Sequence, residues 1–252
     1  RHDTHARYVL DALEHGRNVF VEKPLCLNTD ELEEISATVE RLSQEGRVPS
    51  LMVGFNRRFS PLTDALMASI PAGTMSMLYR VNAGPMDADH WMQLPEVGGG
   101  RIVGEACHFI DYLTYVNGSP PVEVYATAME EPQHLGDIVN ISLRFQNGSI
   151  GVVSYLANGG KSLPKEYIEV HRAGTSAVIS DFKELKVYGT GKPATKRLMS
   201  QNKGQPEMMK AFLSSIREGG PSPIAYGEIE RVMLATFRAV ECFTTGQVAR
   251  LE

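Results

Sequence analysis

The sequence predicts an α/β protein: the second half of a doubly wound parallel sheet, followed by an α+β domain with a large, mainly antiparallel open sheet. Three observations carry that expectation. Residues 1–54 read helix, strand, helix, strand at the spacing of crossover connections. After Arg58 the character of the chain changes, and from Val122 to Tyr188 short alternating or apolar segments follow one another with turn residues between them.

Thr4 is placed to cap a helix running to about His15, with Ala6, Val9, Leu10 and Leu13 on one face, and Gly16 falls where a left-handed C-terminal cap is wanted. Asn18 to Val21 forms a short apolar strand, ended by Pro24. Asn28, with Glu31 three residues on, has the pattern of a capping box for a second helix through Leu32, Ile35, Val39 and Leu42, stopping near Gly46. Leu51 to Val53 supplies the next strand. An open parallel sheet needs more strands than these two, and no G-x-G-x-x-G follows any strand-like run. Residues 1–54 are therefore expected to be part of a dinucleotide-binding domain whose phosphate loop lies upstream, and residues 55–252 a second domain.

In that second part Pro61 to Ile70 reads as a helix and Met75 to Val81 as a strand, followed by a loop rich in Gly, Pro and Asp that holds Trp91. Apolar residues then recur with helical period from Ile102 to Val116, closing at Asn117-Gly118. Strands are expected at Val122 to Ala128, Ile138 to Phe145, Ile150 to Leu156, Tyr167 to His171, Ala177 to Ser180 and Leu185 to Tyr188. The clearest hairpin is Gln146-Asn147-Gly148-Ser149, because Asn-Gly accepts the positive φ angles of tight turns. Two helices finish the chain, about Pro206 to Glu218 and Tyr226 to Thr245.

Composition narrows the function classes. The 252 residues are 42% hydrophobic and 22% charged, which suits a soluble globular chain and argues against disorder. Twenty-five basic residues against 30 acidic ones give a formal charge of -5, with no basic block to attract nucleic acid. Apolar runs fall far short of the eighteen or so residues of a membrane span. Three widely spaced cysteines, Cys26, Cys107 and Cys242, fit neither a disulfide framework nor a zinc knuckle, and suggest a reducing cytoplasm.

Two stretches carry chemistry: Phe20-Val21-Glu22-Lys23-Pro24, and Gly98-Gly99-Gly100 followed by Glu105, His108 and Asp111. Lys23 ends an apolar strand where a doubly wound sheet opens its ligand crevice, and Pro24 holds it out of helix, with a cis bond one option. Taken alone, such a lysine is a surface group. His108 has carboxylates three residues to either side, one of which would raise its basicity and fix its tautomer. Taken alone, it is a hydrogen-bonded core histidine. A neutral imidazole is suited to take a hydroxyl proton while a hydride leaves the same carbon. Glu105-x-x-His108 also resembles half of a di-metal site, but no second such motif follows, so no metal is expected. The glycine run is expected to let backbone pass close to a ligand or cofactor.

Val19-Phe20-Val21-Glu22-Lys23-Pro24, the later Val53-Gly54-Phe55-Asn56-Arg57-Arg58-Phe59-Ser60-Pro61 and the glycine-rich helix with His108 and Asp111 resemble the Gfo/Idh/MocA oxidoreductases. The resemblance continues to Pro223-Ile224 and Gly246-Gln247-Val248. It implies a Rossmann domain followed by an α/β domain whose open sheet mediates homo-oligomers. It also implies NAD or NADP as cofactor, and a sugar, cyclitol or nucleotide-sugar alcohol as substrate. Lys23 would lie by the nicotinamide and the substrate hydroxyl, with Glu22 and Pro24 beside the cofactor, and His108 would accept the proton. Many members place an aspartate four residues before the histidine; here that position is Gly104, and Glu105 is the candidate substitute. Arg57, Arg58, Trp91, Asp111 and Lys165 are the candidate substrate-binding residues. Residues 161–181, with Pro164-Lys165-Glu166, resemble a segment that in such members approaches the substrate, so Lys165 would bind a carboxylate or a sugar hydroxyl, or else is a solvated lysine at a strand start. Of the two arginines, one would clamp an anionic group and the other a surface carboxylate, while Trp91 and Tyr79 would stack on a sugar ring or serve as core. The wording around the glycine run resembles members fused to an alcohol-dehydrogenase-like domain. Two other readings stand beside the dehydrogenase: a non-catalytic binding or assembly module of the same family, and metal-assisted hydrolysis through Glu105 and His108.

Overall fold

The computed structural model describes every residue except 48, 132–134 and 252. Helix α1 (His5–Glu14) buries Ala6, Val9 and Leu13, and Gly16 turns the chain with φ of +65°. Strand β1 (Val19–Val21) pairs in parallel with β2 (Leu51–Val53), Val19 opposite Leu51, and α2 (Thr29–Gln44) is the crossover between them. Asn28 caps α2 by accepting the Glu31 backbone N–H at 2.9 Å. The return bond of the expected capping box lands one residue early, since Glu31 Oε2 accepts from the Leu27 N–H at 2.8 Å. Asn28→Ala should cost about 1 kcal/mol of stability, read from urea melts.

Helix α3 (Pro61–Ser69) starts at Ser60, whose hydroxyl accepts the Leu62 N–H. Among the described residues the large sheet has nine strands: β3 (Ser76–Asn82), β4 (Pro121–Ala128), β5 (Ile138–Phe145), β6 (Ile150–Leu156), β7 (Glu166–Arg172), β8 (Thr175–Ser180), β9 (Glu184–Tyr188), β10 (Ala194–Arg197) and β11 (Ala249–Arg250). Their order is β10-β9-β8-β7-β3-β6-β5-β4-β11, antiparallel except for the parallel pairing of β3 with β6. Gly148, at φ +85°, makes the β5–β6 hairpin, and Asn147 Oδ1 accepts the Ser149 N–H within it. The edge strands β10 and β11 go beyond the expected set. Ala194 to Arg197 is exposed throughout, so it carries no inward-outward alternation to read.

Helix α4 (Cys107–Asn117) packs under β3 and β6, and α6 (Tyr226–Thr245) lies against α4 and β4. The apolar period that begins at Ile102 is broken by a π turn over Ile102–Ala106 before α4 starts. Helix α5 (Gln205–Glu218) joins the small sheet to the rest, with Phe212 5.7 Å from Phe20 between ring centres. Ser36 of α2 bonds Tyr226 and Glu230 of α6, which fixes the two sheets relative to each other. Cys26, Cys107 and Cys242 are buried free thiols. Among the described residues no helix is long and apolar enough to cross a membrane.

Candidate active site

The carboxyl ends of β1 and β2 open onto a cavity of about 280 Å³. Lys23 and Glu22 reach it from the end of β1, and Gly54, Asn56 and Arg57 from the segment after β2. The π turn and α4 contribute Glu105, His108 and Phe109; Lys165 stands just before β7, and Lys203 just before α5. The Lys23-Pro24 peptide bond is cis.

Lys23 Nζ donates to the Gly104 carbonyl at 2.7 Å. A π turn departs from the regular i→i−4 ladder, and here one of its carbonyls meets the ammonium. Gly104 also stands where an aspartate would be crowded: a Cβ there would come within 3.1 Å of the His2 ring, which would have to shift slightly. Glu105, one position later, faces the cavity instead. Burial works to raise its carboxyl, but Lys165, Arg101 and Lys23 outweigh that and hold it below the usual range.

His108 is almost fully buried, its ring 5.9 Å from Phe55 and edge-on to it. Burial first, and then the cations Arg57, Lys23, Lys165 and Lys203, hold its pKa well below 6.5. The imidazole is therefore neutral at physiological pH. The expected carboxylate partner is not there: among the described residues nothing hydrogen-bonds the buried Nδ1, and Asp111 is committed elsewhere. The cations lower the basicity that a carboxylate would have raised.

Four more expectations need correction. Asp111 and Arg58 pair with each other, almost wholly buried, and Arg58 Nη1 also donates to Glu228 at 2.9 Å, so neither side chain is available to a substrate. Arg57 does line the cavity, but it is no free clamp. Its Nε and Nη2 donate to Glu166 at 2.7 and 3.0 Å, and Nη1 donates to Asn56 Oδ1. Trp91 lies outside the cavity wall, packed edge-on against His2 at 4.9 Å, whereas Tyr79 follows the core alternative, its hydroxyl bonded to Glu166. The glycine run serves its own loop: a Cβ on Gly98 would sit 2.3 Å from Met92 Cα, and the Gly98 carbonyl accepts from His2 Nδ1 at 2.8 Å.

Sequence reasoning missed Glu166 and Lys203. Glu166 is fully buried beneath the cavity, where it receives Arg57, Tyr79 and Lys203, the last at 2.6 Å. Burial opposes its ionisation, yet Arg57 and Lys203 outweigh that and hold the carboxyl at about 2. Two adjacent arginines with no nearby acid were the available signal, since buried guanidinium groups need carboxylate partners.

Known proteins match this chain in the same order as its two sheets. Residues 1–55 match the model described as an oxidoreductase family with NAD-binding Rossmann fold, and residues 72–179 match the GFO/IDH/MocA C-terminal domain. Myo-inositol 2-dehydrogenase of Thermotoga maritima is 24% identical over 99% of this chain and 77% of its own length. The Bacillus subtilis oxidoreductase YrbE is 30% identical over 59% of this chain; the match spans 44% of YrbE, less than half of that relative. Among solved structures, an oxidoreductase domain protein from Kribbella flavida superposes with a TM-score of 0.84 at 20% identity, over all of this chain and 78% of that one. With both halves matched in register to one family, the chain belongs to the Gfo/Idh/MocA oxidoreductases.

Proposed function

We propose that the protein is an NAD(P)-dependent dehydrogenase acting on a carbinol of a sugar, cyclitol or nucleotide-sugar alcohol. The observation that carries this reading is the convergence of the Lys23 ammonium and the His108 imidazole on one cavity. The residues at its mouth suit a nicotinamide ring. Lys23 and Gly54 stand at the carboxyl ends of adjacent parallel strands, where open α/β sheets hold their ligands. Gly54 also leaves room for Glu22, whose Oε2 lies 2.9 Å from where a Cβ would be. Glu22, Lys23 and Pro24 would hold the ring, and residues 1–54 would be the part of the cofactor domain present here, with 55–252 the substrate domain.

The chemistry that a nicotinamide supplies when bound is acceptance or return of the hydride. His108, neutral because of its burial and its cationic neighbours, takes the hydroxyl proton as the C–H bond breaks and the carbonyl forms. Lys23 donates to the substrate oxygen and stabilises the negative charge that develops on it. Glu105, 3.7 Å from the Lys165 ammonium, offsets part of its charge without a hydrogen bond that would hold it. The reading extends to a cytoplasmic setting and to homo-oligomers formed through the sheet face opposite α4, where Leu78, Val152, Leu156 and Val178 are half-buried.

The test is nucleotide-linked oxidation of a panel of polyols, sugar acids and sugar phosphates by the complete protein, followed by nicotinamide absorbance. Reduction of NAD or NADP is expected; no turnover with any of them would leave a binding or assembly module. The acid limb of kcat/KM should fall below pH 6.5, because a lowered pKa keeps His108 deprotonated further into acid. A limb above 6.5 would exclude His108 as the base.

A further inference from the structure

Charge is unevenly distributed around the cavity. Among the described residues Lys23, Arg57, Lys165 and Lys203 line it against two carboxylates, Glu22 and Glu105. Glu166 lies behind and offers one negative charge to two cations, and Arg57 already engages both of its oxygens. Lys203 is thus the surplus cation, its ammonium using one of three donors on Glu166 Oε1 at 2.6 Å. Lys165 is freer still. Its Nζ stands 3.7 Å from Glu105 Oε2, beyond hydrogen-bond reach, and its side chain is 43% exposed. An oxidised nicotinamide would bring a further positive charge to the same site.

We propose that the substrate is an anionic sugar whose carboxylate or phosphate is received by the ammonium groups of Lys165 and Lys203. This rests on the dehydrogenase reading and narrows its substrate class. A neutral polyol would leave the positive surplus uncompensated in a partly buried site. An anionic group offsets that surplus and accepts the unused ammonium donors, and hydrogen bonds between charged groups are about twice as strong as neutral ones. The same cations reach His108: after burial, and after Arg57 and Lys23, both Lys165 and Lys203 act to lower the imidazole pKa. Lys165 and Lys203 thereby become the residues that set specificity, apart from the Lys23 and His108 pair that handles the reacting hydroxyl.

Titration calorimetry of the full chain at low ionic strength tests this with D-glucuronate, D-glucose 6-phosphate and D-glucose. At least one of the two anions is expected to bind ten-fold or more tightly than glucose, and the tighter one identifies a carboxylate or a phosphate. Lys165→Gln and Lys203→Gln should each bring the ratio of anion to glucose affinity down about tenfold. The exposure of Lys165 keeps at least its variant folded, as circular dichroism will verify. Equal affinities in the wild type, no anion binding, or a ratio unmoved in folded Lys165→Gln would overturn the assignment. The outcome separates from the redox reading: turnover of neutral polyols without anion binding sinks this inference and keeps the dehydrogenase, whereas anion binding without turnover of any bound anion sinks the dehydrogenase, and the substrate assignment with it, while leaving the two lysines as an anion site.

Discussion

Lys23→Met in the complete protein is expected to lower kcat by about 10²–10³, equivalent to roughly 3–4 kcal/mol of lost transition-state stabilisation. The side chain sits at the end of β1 with its ammonium 2.7 Å from the Gly104 carbonyl, so it is held in place before any substrate arrives. A donor fixed in this way needs little reorganisation as charge builds on the substrate oxygen. Methionine keeps the apolar stem and removes the charge, so the fold should survive, which a thermal melt can verify. His108→Asn should cost a similar 10²–10⁴. The double variant should be little worse than either single one, because both groups act on the same oxygen. Near wild-type turnover in Lys23→Met would show that the lysine is only a strand-end anchor.

Glu166→Ala should destabilise the protein by about 3–5 kcal/mol, the cost of leaving buried cations without their counter-charge. Arg57 is 8% exposed and would lose the acceptors of both its Nε and its Nη2. The pH dependence provides a second reading. The carboxyl is held at about 2 in the folded chain, whereas a free glutamate titrates near 4.3, so the unfolded state takes up the proton first as pH falls. The stabilisation is therefore complete above about pH 4.3 and is lost on the way down toward 2, a change of about 3 kcal/mol. Urea midpoints measured across that range should show the step in the wild type and lack it in Glu166→Gln. A wild-type profile without the step would mean that the Arg57 and Lys203 contacts do not govern the titration.

Local patterns in the sequence marked most of the architecture. The strands Ile138–Phe145 and Ile150–Leu156 and the helix Tyr226–Thr245 follow from alternation, an Asn-Gly turn and helical period. The π turn left no trace, because the apolar residues Ile102, Val103 and Ala106 that it buries also fit the helical period running on to Val116. Lys23 and His108 stood out through their settings at a strand end and on a helix face. Their environment did not. Helical spacing points to Asp111, three positions on, as the partner of His108, but Asp111 is taken by Arg58, which arrives from 53 positions earlier in the chain. Glu166 and Lys203 were hidden for the same reason, since their contact joins residues 37 apart. Ion pairing among distant residues is set by the tertiary fold, and spacing along one helix does not reveal it.

The position of β3 bears on how the chain assembles. Ser76, at its start, pairs with Ile150 on one side and His171 on the other, so a nascent chain exposes both edges of this strand until those distant segments emerge. The meander β4–β5–β6 can form by local hairpins, but it joins β3 only through a parallel register that waits for Ile150–Leu156. Such non-local pairing slows folding and leaves a strand open to wrong partners, which makes the interval before β6 and β7 appear the period of greatest aggregation risk.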